Sequence, residues 1–376
     1  MMELAGMLMV GSLGRGTGKT EFACSLIKEF SPNCDIIGIK VTPVSDRGGS
    51  CPHGPGCGAC SALDGHYDIT EEADSESDKD TCRMLGAGAG RVFWLRALKA
   101  HLEEGISALV DTIGNDAICV CESNSLRRVV EPGLFIMVKG RCEEDGKASG
   151  KAVAQYADRE VFFDGTGFDI DMDEIGLADG RWSYRTEATA IIMAGGGSRR
   201  LGRDKSMLEV AGQPMIKHIY DQLVPHFNQV LISSNDESKY SFLDTGIIPD
   251  RIAGQGPLMG IASALEVSAN DVNFVTACDI PQVDTFLMRR MLRAGRDFDV
   301  VVPRLNGTRY EPLFAVYRKN MLKTINELLA TGVRKVDSIY NSCRINYIDI
   351  ADSRRLRNIN TMEDYREFAN EFNDNI

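Results

Sequence analysis

Short apolar runs alternate with longer amphipathic stretches along the whole chain. Runs of four or five apolar residues without strict alternation are typical of strands buried on both faces of a parallel sheet. Such runs predict strands at 7–10, 36–39, 117–121, 134–138, 190–193, 229–232, 273–276 and 299–302. The stretches between them predict helices, for example at 19–30, 81–104, 215–227 and 260–268. This alternation favours α/β architecture with parallel sheets.

The polar segment 176–187 divides this pattern into two halves. A new unit of strand, glycine-rich loop and helix begins directly after it, as at the start of a doubly wound domain. We therefore expect two doubly wound α/β domains, over 1–180 and 188–376. A Gly-, Cys- and Pro-rich stretch and an acidic stretch predict an insertion at 46–82 in the first domain.

Composition and charge exclude several classes of protein. The 376 residues carry 42 Lys and Arg against 54 Asp and Glu, a net charge of −12, which disfavours binding to a nucleic-acid backbone. The sequence has no apolar run long enough to span a membrane and no basic leader before its first apolar residues. We expect a cytoplasmic protein whose 11 cysteines are mostly free thiols.

A glycine-rich loop follows the predicted strand at 190–193. The letters AGGGSRRLGRDK occupy 194–205, and three consecutive glycines allow the backbone to approach an anion closely. Arg199, Arg200 and Lys205 add positive charge within the same twelve residues. This combination predicts a site for a nucleoside triphosphate.

The loop and three later segments resemble the molybdenum cofactor guanylyltransferase (MobA) family. The loop match continues to 216, with Met193 and Leu201 in place of the usual Leu and Met. The later matches keep the family's order: IPD and GPLMG within 248–260, VTACDIP at 275–281, and RNINTMED at 357–364. The resemblance covers 188 to about 370 and implies a Rossmann-like nucleotidyltransferase domain.

This resemblance implies Mg²⁺-dependent transfer of GMP from GTP to the terminal phosphate of molybdopterin, with release of pyrophosphate. The attacking phosphate oxygen is already ionised, so catalysis is expected to rest on positioning and charge neutralisation. We expect Lys205 and Arg200 to neutralise triphosphate charge and Asp279, just past a strand, to hold Mg²⁺. The expected GTP-binding residues are Ala194, Gly195, Gly196, Ser198, Lys205, Asp250 and Gly256, with Asp250 at the guanine or ribose end.

The resemblance also places Asn358 and Asn360 at the pterin end of the acceptor. Either could instead cap the helix expected at 362–372, through Asn360 or Thr361. A cytidylyl- or sugar-nucleotide transferase of similar fold is the alternative for the whole domain, because base identity rests on the family pattern. Molybdenum insertion proteins and apo molybdoenzymes are further candidate partners.

A second glycine-rich loop lies in the first half, between the first predicted strand and the first helix. Its end, GTGKT at 16–20, is that of a phosphate-binding P-loop, in which Lys19 meets the β- and γ-phosphates and Thr20 ligates Mg²⁺. Leu13 stands where the usual pattern has its first glycine. Glu122, after the strand at 117–121, and Asp46 are acidic candidates for Mg²⁺ or water. The candidate nucleotide-binding residues are Gly14, Gly16, Thr17, Gly18, Lys19 and Thr20.

GTGKT and the strand end Glu122-Ser123-Asn124 resemble the MobB family of small P-loop GTP-binding partners of the guanylyltransferase. The resemblance implies a P-loop NTPase-like accessory domain over 1–180 that binds GTP. Fusion would raise the effective concentration of one site near the other. Leu13 leaves open a non-catalytic adaptor with a degenerate loop.

The predicted insertion contains three cysteines within ten consecutive residues: Cys51, Cys57 and Cys60. The C-x₂-C spacing of the last two is typical of a metal knuckle, which would bind Zn²⁺ or an Fe–S cluster. A loop with free thiols and a sulfur-handling role are the alternatives. The candidates for a fourth ligand are His53, His66 and Cys82.

Overall fold

The computed structural model describes residues 1–14, 16–44, 63, 65–140, 148–195, 204–351 and 356–373. The chain divides into two compact units, Met1–Tyr184 and Arg185–Ile376. The division falls inside the polar segment 176–187. Much of that segment, expected to be irregular, forms a small antiparallel hairpin that belongs to the first unit.

The N-terminal unit is built on a mixed but mainly parallel sheet. Its strands are β1 (Met2–Ser12), β2 (Ile37–Val44), β3 (Tyr67–Glu71), β4 (Arg91–Leu98), β5 (Cys119–Glu122), β6 (Val130–Gly140), β7 (Arg159–Phe163), β8 (Ile175–Ala178) and β9 (Arg181–Tyr184). Its α-helices are α1 (Lys19–Phe30), α2 (Asp80–Gly86), α3 (Leu102–Ile113) and α4 (Ala148–Lys151). The main sheet has the order β3-β4-β2-β5-β1-β6-β7, with β3 antiparallel to β4 and the other neighbours parallel.

Both faces of this sheet are covered, which explains why its central strands read as continuous apolar runs. In β1, Met9 packs into the cluster that contains Ile106 of α3. Val10 points to the opposite face and joins the cluster that contains Phe22 of α1. The carboxyl ends of these strands are therefore held in place by helices packed on both faces of the sheet.

The helix predicted at 81–104 is wrong. The structure has the short α2, then β4, and then α3 in this region. The sequence GAGAG at 86–90 ends the helix, and Gly88 has a φ of +109°, which favours glycine. In the segment that follows, β4 hydrogen-bonds β2 on one side and β3 on the other, so sheet pairing decides its conformation.

The C-terminal unit contains a second mixed sheet. The strands of this unit are β10 (Thr186–Met193), β11 (Glu209–Val210), β12 (Gln213–Pro214), β13 (Phe227–Ser233), β14 (Gly246–Ile248), β15 (Val272–Ala277), β16 (Val300–Leu305), β17 (Arg309–Tyr310), β18 (Phe314–Arg318) and β19 (Ile345–Ile350). Strands β11 and β12 form a separate two-stranded sheet. Its α-helices are α5 (Met215–Leu223), α6 (Pro257–Val267), α7 (Thr285–Ala294), α8 (Met321–Ala330) and α9 (Met362–Asn373). The helix predicted at 215–227 thus ends earlier, and the one predicted at 260–268 begins earlier, at a proline suited to the first helical turn.

The order of this sheet is β14-β13-β10-β15-β18-β16-β17, and β19 pairs with β16. Strands β13, β10 and β15 are mutually parallel, whereas β18 runs antiparallel to both β15 and β16. The expected α/β architecture with parallel strands is confirmed, with an antiparallel insertion that the sequence did not predict. Among the described helices, none is both long enough and apolar enough to cross a bilayer.

Candidate functional site

The first candidate site lies at the carboxyl edge of the C-terminal sheet. Strands β10 and β15 are in register to their ends, Met193 opposite Ala277. The Cys278 N–H donates to the Met193 carbonyl at 3.1 Å, which keeps the two chains together beyond the last paired residues. The glycine-rich loop and Asp279 therefore leave the sheet side by side, where α/β proteins place ligand-binding groups.

Lys205 contacts two of the other predicted residues at this edge. Its Nζ lies 3.3 Å from Asp279 Oδ2 and 3.0 Å from Asn360 Oδ1. Lys205 opens a short 3₁₀ turn, and the Asp204 side chain caps this turn by accepting from the Ser206 N–H at 3.1 Å. The side chains of Lys205 and Asp279 are 17% and 27% exposed, so the ion pair is open to a ligand.

The RNINTMED motif at 357–364 packs against the end of β15. The Ile359 N–H donates to the Asp279 carbonyl at 2.8 Å. Thr361 Oγ1 accepts from the Asp364 N–H at 3.1 Å, and Asp364 Oδ2 accepts from the Asn360 N–H at 2.9 Å. The start of α9 is thus capped by Thr361 and Asp364, while the Asn360 side chain contacts Lys205.

Glu311 belongs to this site and was missed. Its Oε2 lies 3.5 Å from Asn358 Nδ2 and 3.7 Å from a guanidinium nitrogen of Arg309, and its side chain is only 14% exposed. Burial raises the pKa of Glu311, although Arg309 opposes the shift. Glu311 precedes β18, which starts at the carboxyl edge because it runs antiparallel to β15. Without a prediction of β18, the sequence gives no signal for this residue.

Changing Glu311 to glutamine is expected to raise the melting temperature by about 1–3 °C at pH 7.5. Because the folded protein raises the pKa of Glu311, its ionised form costs stability at pH values above the ordinary 4.5, and glutamine removes that cost. The difference should shrink as the pH falls toward 4.5. Calorimetry at several pH values would measure it, with Glu327→Gln, an exposed residue of α8, as the control. A variant less stable than the parent at pH 7.5 would contradict the expectation.

The other predicted residues of this half have different surroundings. Asp250 Oδ2 accepts from Asn235 Nδ2 at 3.0 Å. Gly256 has a φ of +80° directly before α6, which favours glycine there. The Ala194 N–H donates to the Ser233 carbonyl at 2.9 Å, so this amide is engaged within the protein. A Cβ on Gly195 would meet only that carbonyl, at 3.9 Å, among the described atoms.

Three predicted residues of the glycine-rich loop lie outside the described residues: Gly196, Ser198 and Arg200. Cys278, next to Asp279, is a packed thiol rather than a nucleophile. Burial raises the pKa of Cys278 to about 12, so it stays protonated near neutral pH.

The second candidate site is the glycine-rich loop of the N-terminal unit, which connects β1 to α1. Gly16 and Gly18 have φ values of +65° and +80°. A Cβ on Gly18 would also approach the Phe163 ring to 2.6 Å. Asn124 holds the start of the loop, because its side chain accepts from the Ser12 N–H and donates to the Ser12 carbonyl, both at 2.8 Å. Backbone conformation and side-chain contacts together fix the loop.

Glu122 is the charged centre of this site. It ends β5, its side chain is 3% exposed, and its Oε2 accepts from Thr20 Oγ1 at 2.8 Å. Its Oε1 lies 3.2 Å from Lys19 Nζ and 3.0 Å from Lys40 Nζ. Burial opposes ionisation, but the two ammonium groups outweigh it and lower the pKa of Glu122 to about 2. The structure thus brings Lys19, Thr20 and Glu122 together.

Two further residues of this site were missed. Lys40, on β2, pairs with Asp80 as well as with Glu122. Asp80 Oδ1 also accepts from Thr20 Oγ1 at 3.1 Å. Burial works against the charge of Lys40, but Glu122 and Asp80 raise its pKa, so the ammonium stays charged. The Thr20 hydroxyl and two carboxylates therefore converge as oxygen donors of the kind that Mg²⁺ prefers.

These side chains border an open cavity of about 1070 Å³, which is large enough for a nucleoside triphosphate. The cavity wall includes all six predicted loop residues, Gly14, Gly16, Thr17, Gly18, Lys19 and Thr20. The Thr17 hydroxyl is buried and has no hydrogen-bond partner in the described part of the chain. Asp46, the other acidic candidate, lies outside the described residues.

The predicted cysteine site lies outside the described residues, as do Cys51, Cys57, Cys60 and the candidate ligand His53. Of the other two proposed ligands, Cys82 is fully buried, and burial raises the pKa of its thiol. His66 is exposed and contacts other side chains instead.

Comparison with known proteins gives consistent matches in the C-terminal half. The family model of the MobA-like NTP transferase domain matches residues 190–343. The probable molybdenum cofactor guanylyltransferase of Pelotomaculum thermopropionicum is 40% identical over 173 residues, which are 46% of this chain and 84% of that protein. The molybdenum cofactor guanylyltransferase of Vibrio parahaemolyticus is 32% identical over 191 residues, 49% of this chain and 96% of that protein.

A solved structure is also similar. The crystal structure of molybdopterin-guanine dinucleotide biosynthesis protein A from Archaeoglobus fulgidus matches 50% of this chain and 100% of that chain. The TM-score is 0.44 and the sequence identity is 23%.

Proposed function

The C-terminal half of this chain belongs to the molybdenum cofactor guanylyltransferase family and is a nucleotidyltransferase, and from that premise we propose that it transfers GMP from GTP to the terminal phosphate of molybdopterin. The main structural support is the convergence of Lys205, Asp279 and Asn360 at the carboxyl edge of the sheet. These residues come from three separate motifs. A site assembled in this way can contact nucleotide and acceptor together.

In the proposed reaction, an acceptor phosphate oxygen forms a bond to the α-phosphorus of GTP. The bond from that phosphorus to the bridging oxygen breaks, and pyrophosphate leaves. The attacking oxygen is already ionised, so the protein has no proton to remove and acts by alignment and charge neutralisation. Lys205 can exchange its contact with Asp279 for a phosphate oxygen, which keeps its positive charge balanced.

The residues around Asp279 suit a magnesium ion. The Asp279 carboxylate is partly exposed, and Glu311 supplies a second carboxylate in the same site. When bound, Mg²⁺ would neutralise negative charge on the triphosphate, and Asp279 would hold it. Lys205 and the loop arginine Arg200 would add to this neutralisation.

Nucleotide choice tests the proposal directly. With metal-loaded molybdopterin as acceptor, pyrophosphate release from GTP is expected to exceed release from CTP or ATP by at least about 100-fold in kcat/KM. The same assay without acceptor is the blank. Equal rates with CTP and GTP would reject the guanylyl assignment. Activity with a sugar phosphate but not with molybdopterin would favour the alternative acceptor.

For the N-terminal unit, we propose a GTP-binding accessory domain fused to the transferase. The support is the group of Lys19, Thr20 and Glu122 beside a cavity of nucleotide size. Because fusion keeps the two units on one chain, a ligand released from one is retained near the other. Leu13, in place of the usual first glycine, supports a non-catalytic adaptor as the second candidate. Molybdenum insertion proteins and apo molybdoenzymes remain proposed partners of the fused protein.

A further inference from the structure

Two histidines and a glutamate form a compact cluster in the N-terminal unit. His66 immediately precedes β3, while His101 and Glu104 lie at the start of α3. Glu104 Oε2 is 3.2 Å from His66 Nδ1 and 2.8 Å from His101 Nδ1. The two imidazole rings are stacked, with centroids 3.6 Å apart and planes inclined by 24°.

Backbone contacts hold this cluster in place. The Leu98 N–H donates to the His66 carbonyl at 2.9 Å, which joins the start of β3 to the end of β4. His101 closes the 3₁₀ turn Lys99–His101 that follows β4 and leads into α3. His101 and Glu104 are three residues apart, so they lie on the same face of the helix start. The cluster is thus assembled from neighbouring ordered elements.

The distances match those between ligands of a single metal ion. Ligand atoms about 2.1 Å from a tetrahedral centre lie about 3.4 Å from one another. One donor atom from each of the three side chains lies within 4.8 Å of the other two, and two of the three separations are 2.8 and 3.2 Å. Small side-chain rotations would therefore place all three donors around one ion.

Charge favours a cation at this position. The Glu104 carboxylate lies within 3.2 Å of both imidazoles and supplies an oxygen ligand beside the two ring nitrogens. Each imidazole offers a nitrogen lone pair to a metal ion. The side chains of His66, His101 and Glu104 are 55%, 33% and 52% exposed, so an ion and its waters can enter.

We propose that His66, His101 and Glu104 bind a divalent transition-metal ion of the Zn²⁺ class. Two imidazoles and one carboxylate suit Zn²⁺ and its neighbours in the transition series, whereas Mg²⁺ prefers oxygen ligands alone. None of these three side chains lines the N-terminal cavity. Lys99, at the other end of the same 3₁₀ turn as His101, borders the N-terminal cavity, so the ion would stabilise the turn next to the nucleotide.

Calorimetric titration of the full-length, metal-free protein with ZnCl₂ tests the proposal. Excess Mg²⁺ in the buffer excludes weak binding at the nucleotide sites. The double variant His66→Gln, His101→Gln is expected to lose at least about 100-fold in Zn²⁺ affinity for one site per chain. His226→Gln, in the C-terminal unit, is the matched control and should bind as the parent does. Thermal melting of each variant would show that it is folded.

A second variant separates this site from the cysteine-rich segment. The triple change of Cys51, Cys57 and Cys60 to serine should leave the histidine site intact if the two are independent. Loss of the same Zn²⁺ in both variants would still support His66 and His101 as ligands and would add a thiolate to the set. Unchanged Zn²⁺ binding in the folded double-histidine variant would overturn the proposal. Substitution by Co²⁺ gives a further measurement, because only thiolate ligation produces a sulfur-to-cobalt charge-transfer band.

Discussion

Guanylyl transfer is expected to fall by about 10²–10³-fold in kcat when Asp279 is changed to asparagine. Asparagine keeps the size of the side chain but removes the negative charge that pairs with Lys205 and that would hold Mg²⁺. The carboxylate contributes where charge is redistributed during transfer, so kcat should change more than the KM for GTP. Pyrophosphate release at saturating GTP and acceptor measures the loss.

Asp271 provides a matched control at the opposite end of the same strand. It precedes β15, whereas Asp279 follows it, and its exposed carboxylate pairs with Arg318. Asp271→Asn is expected to keep kcat within about twofold of the parent, since exposed ion pairs contribute little to stability. If Asp279→Asn transferred GMP at the parent rate, Asp279 would have no part in catalysis, and the site would have to be assigned elsewhere.

Much of the transferase site was predictable because its residues belong to short motifs in a fixed order. Parallel strands bring their carboxyl ends to one edge, so a loop after β10 and an acid after β15 had to be neighbours once the strands were identified. The contact between Lys205 and Asn360 spans 155 positions in the chain and was not predicted, because the resemblance assigned Lys205 to the triphosphate and Asn360 to the pterin. Glu311 was not predictable, because its position depends on the antiparallel β18.

In the N-terminal unit, too, residues in motifs were predictable and residues brought in by other elements were not. Lys19 and Thr20 follow from the loop motif, and Glu122 follows from its place after an apolar strand. Lys40 and Asp80 carry no motif, and they reach the loop only through the packing of β2 and α2 beside β5. Asp80 lies just before 81–104, where one long helix was predicted, and it begins the shorter α2 instead. The local sequence pattern identifies site residues at strand ends. Site residues that come from other strands and helices can be identified only from the tertiary structure.

The two candidate sites share one electrostatic arrangement. In each, a lysine from a glycine-rich loop pairs with a carboxylate that follows a buried strand: Lys205 with Asp279, and Lys19 with Glu122. The carboxylate holds the lysine side chain in place before a phosphate arrives. The pairs differ in burial, because Glu122 is 3% exposed and Asp279 is 27% exposed. Removal of the lysine should therefore be tolerated structurally in the N-terminal site only if Glu122 retains another cation.

Lys40 also pairs with Glu122, so the Lys19→Ala variant is expected to fold normally. The variant is expected to lose GTP binding at the N-terminal site. Loss of a charge-assisted contact to the β- and γ-phosphates should weaken binding by about 10–100-fold. Titration of the full-length chain with GTP should then show one tight site fewer per chain. Lys28→Ala, an exposed lysine in the last turn of the same helix, is the control. Undiminished GTP binding by Lys19→Ala would contradict the assignment of this loop.

Release of inorganic phosphate separates a GTPase from an adaptor in the same set of proteins. The reaction proposed for the C-terminal site releases pyrophosphate and requires an acceptor, so phosphate formed without molybdopterin would report on the N-terminal site alone. Phosphate release that is present in the parent and absent in Lys19→Ala would establish hydrolysis and exclude the adaptor. Tight GTP binding without phosphate release in the parent would instead favour the adaptor. In that case the Leu13→Gly variant, which restores the usual first glycine of the loop, should be tested. If Leu13 alone prevents hydrolysis, this variant should hydrolyse GTP.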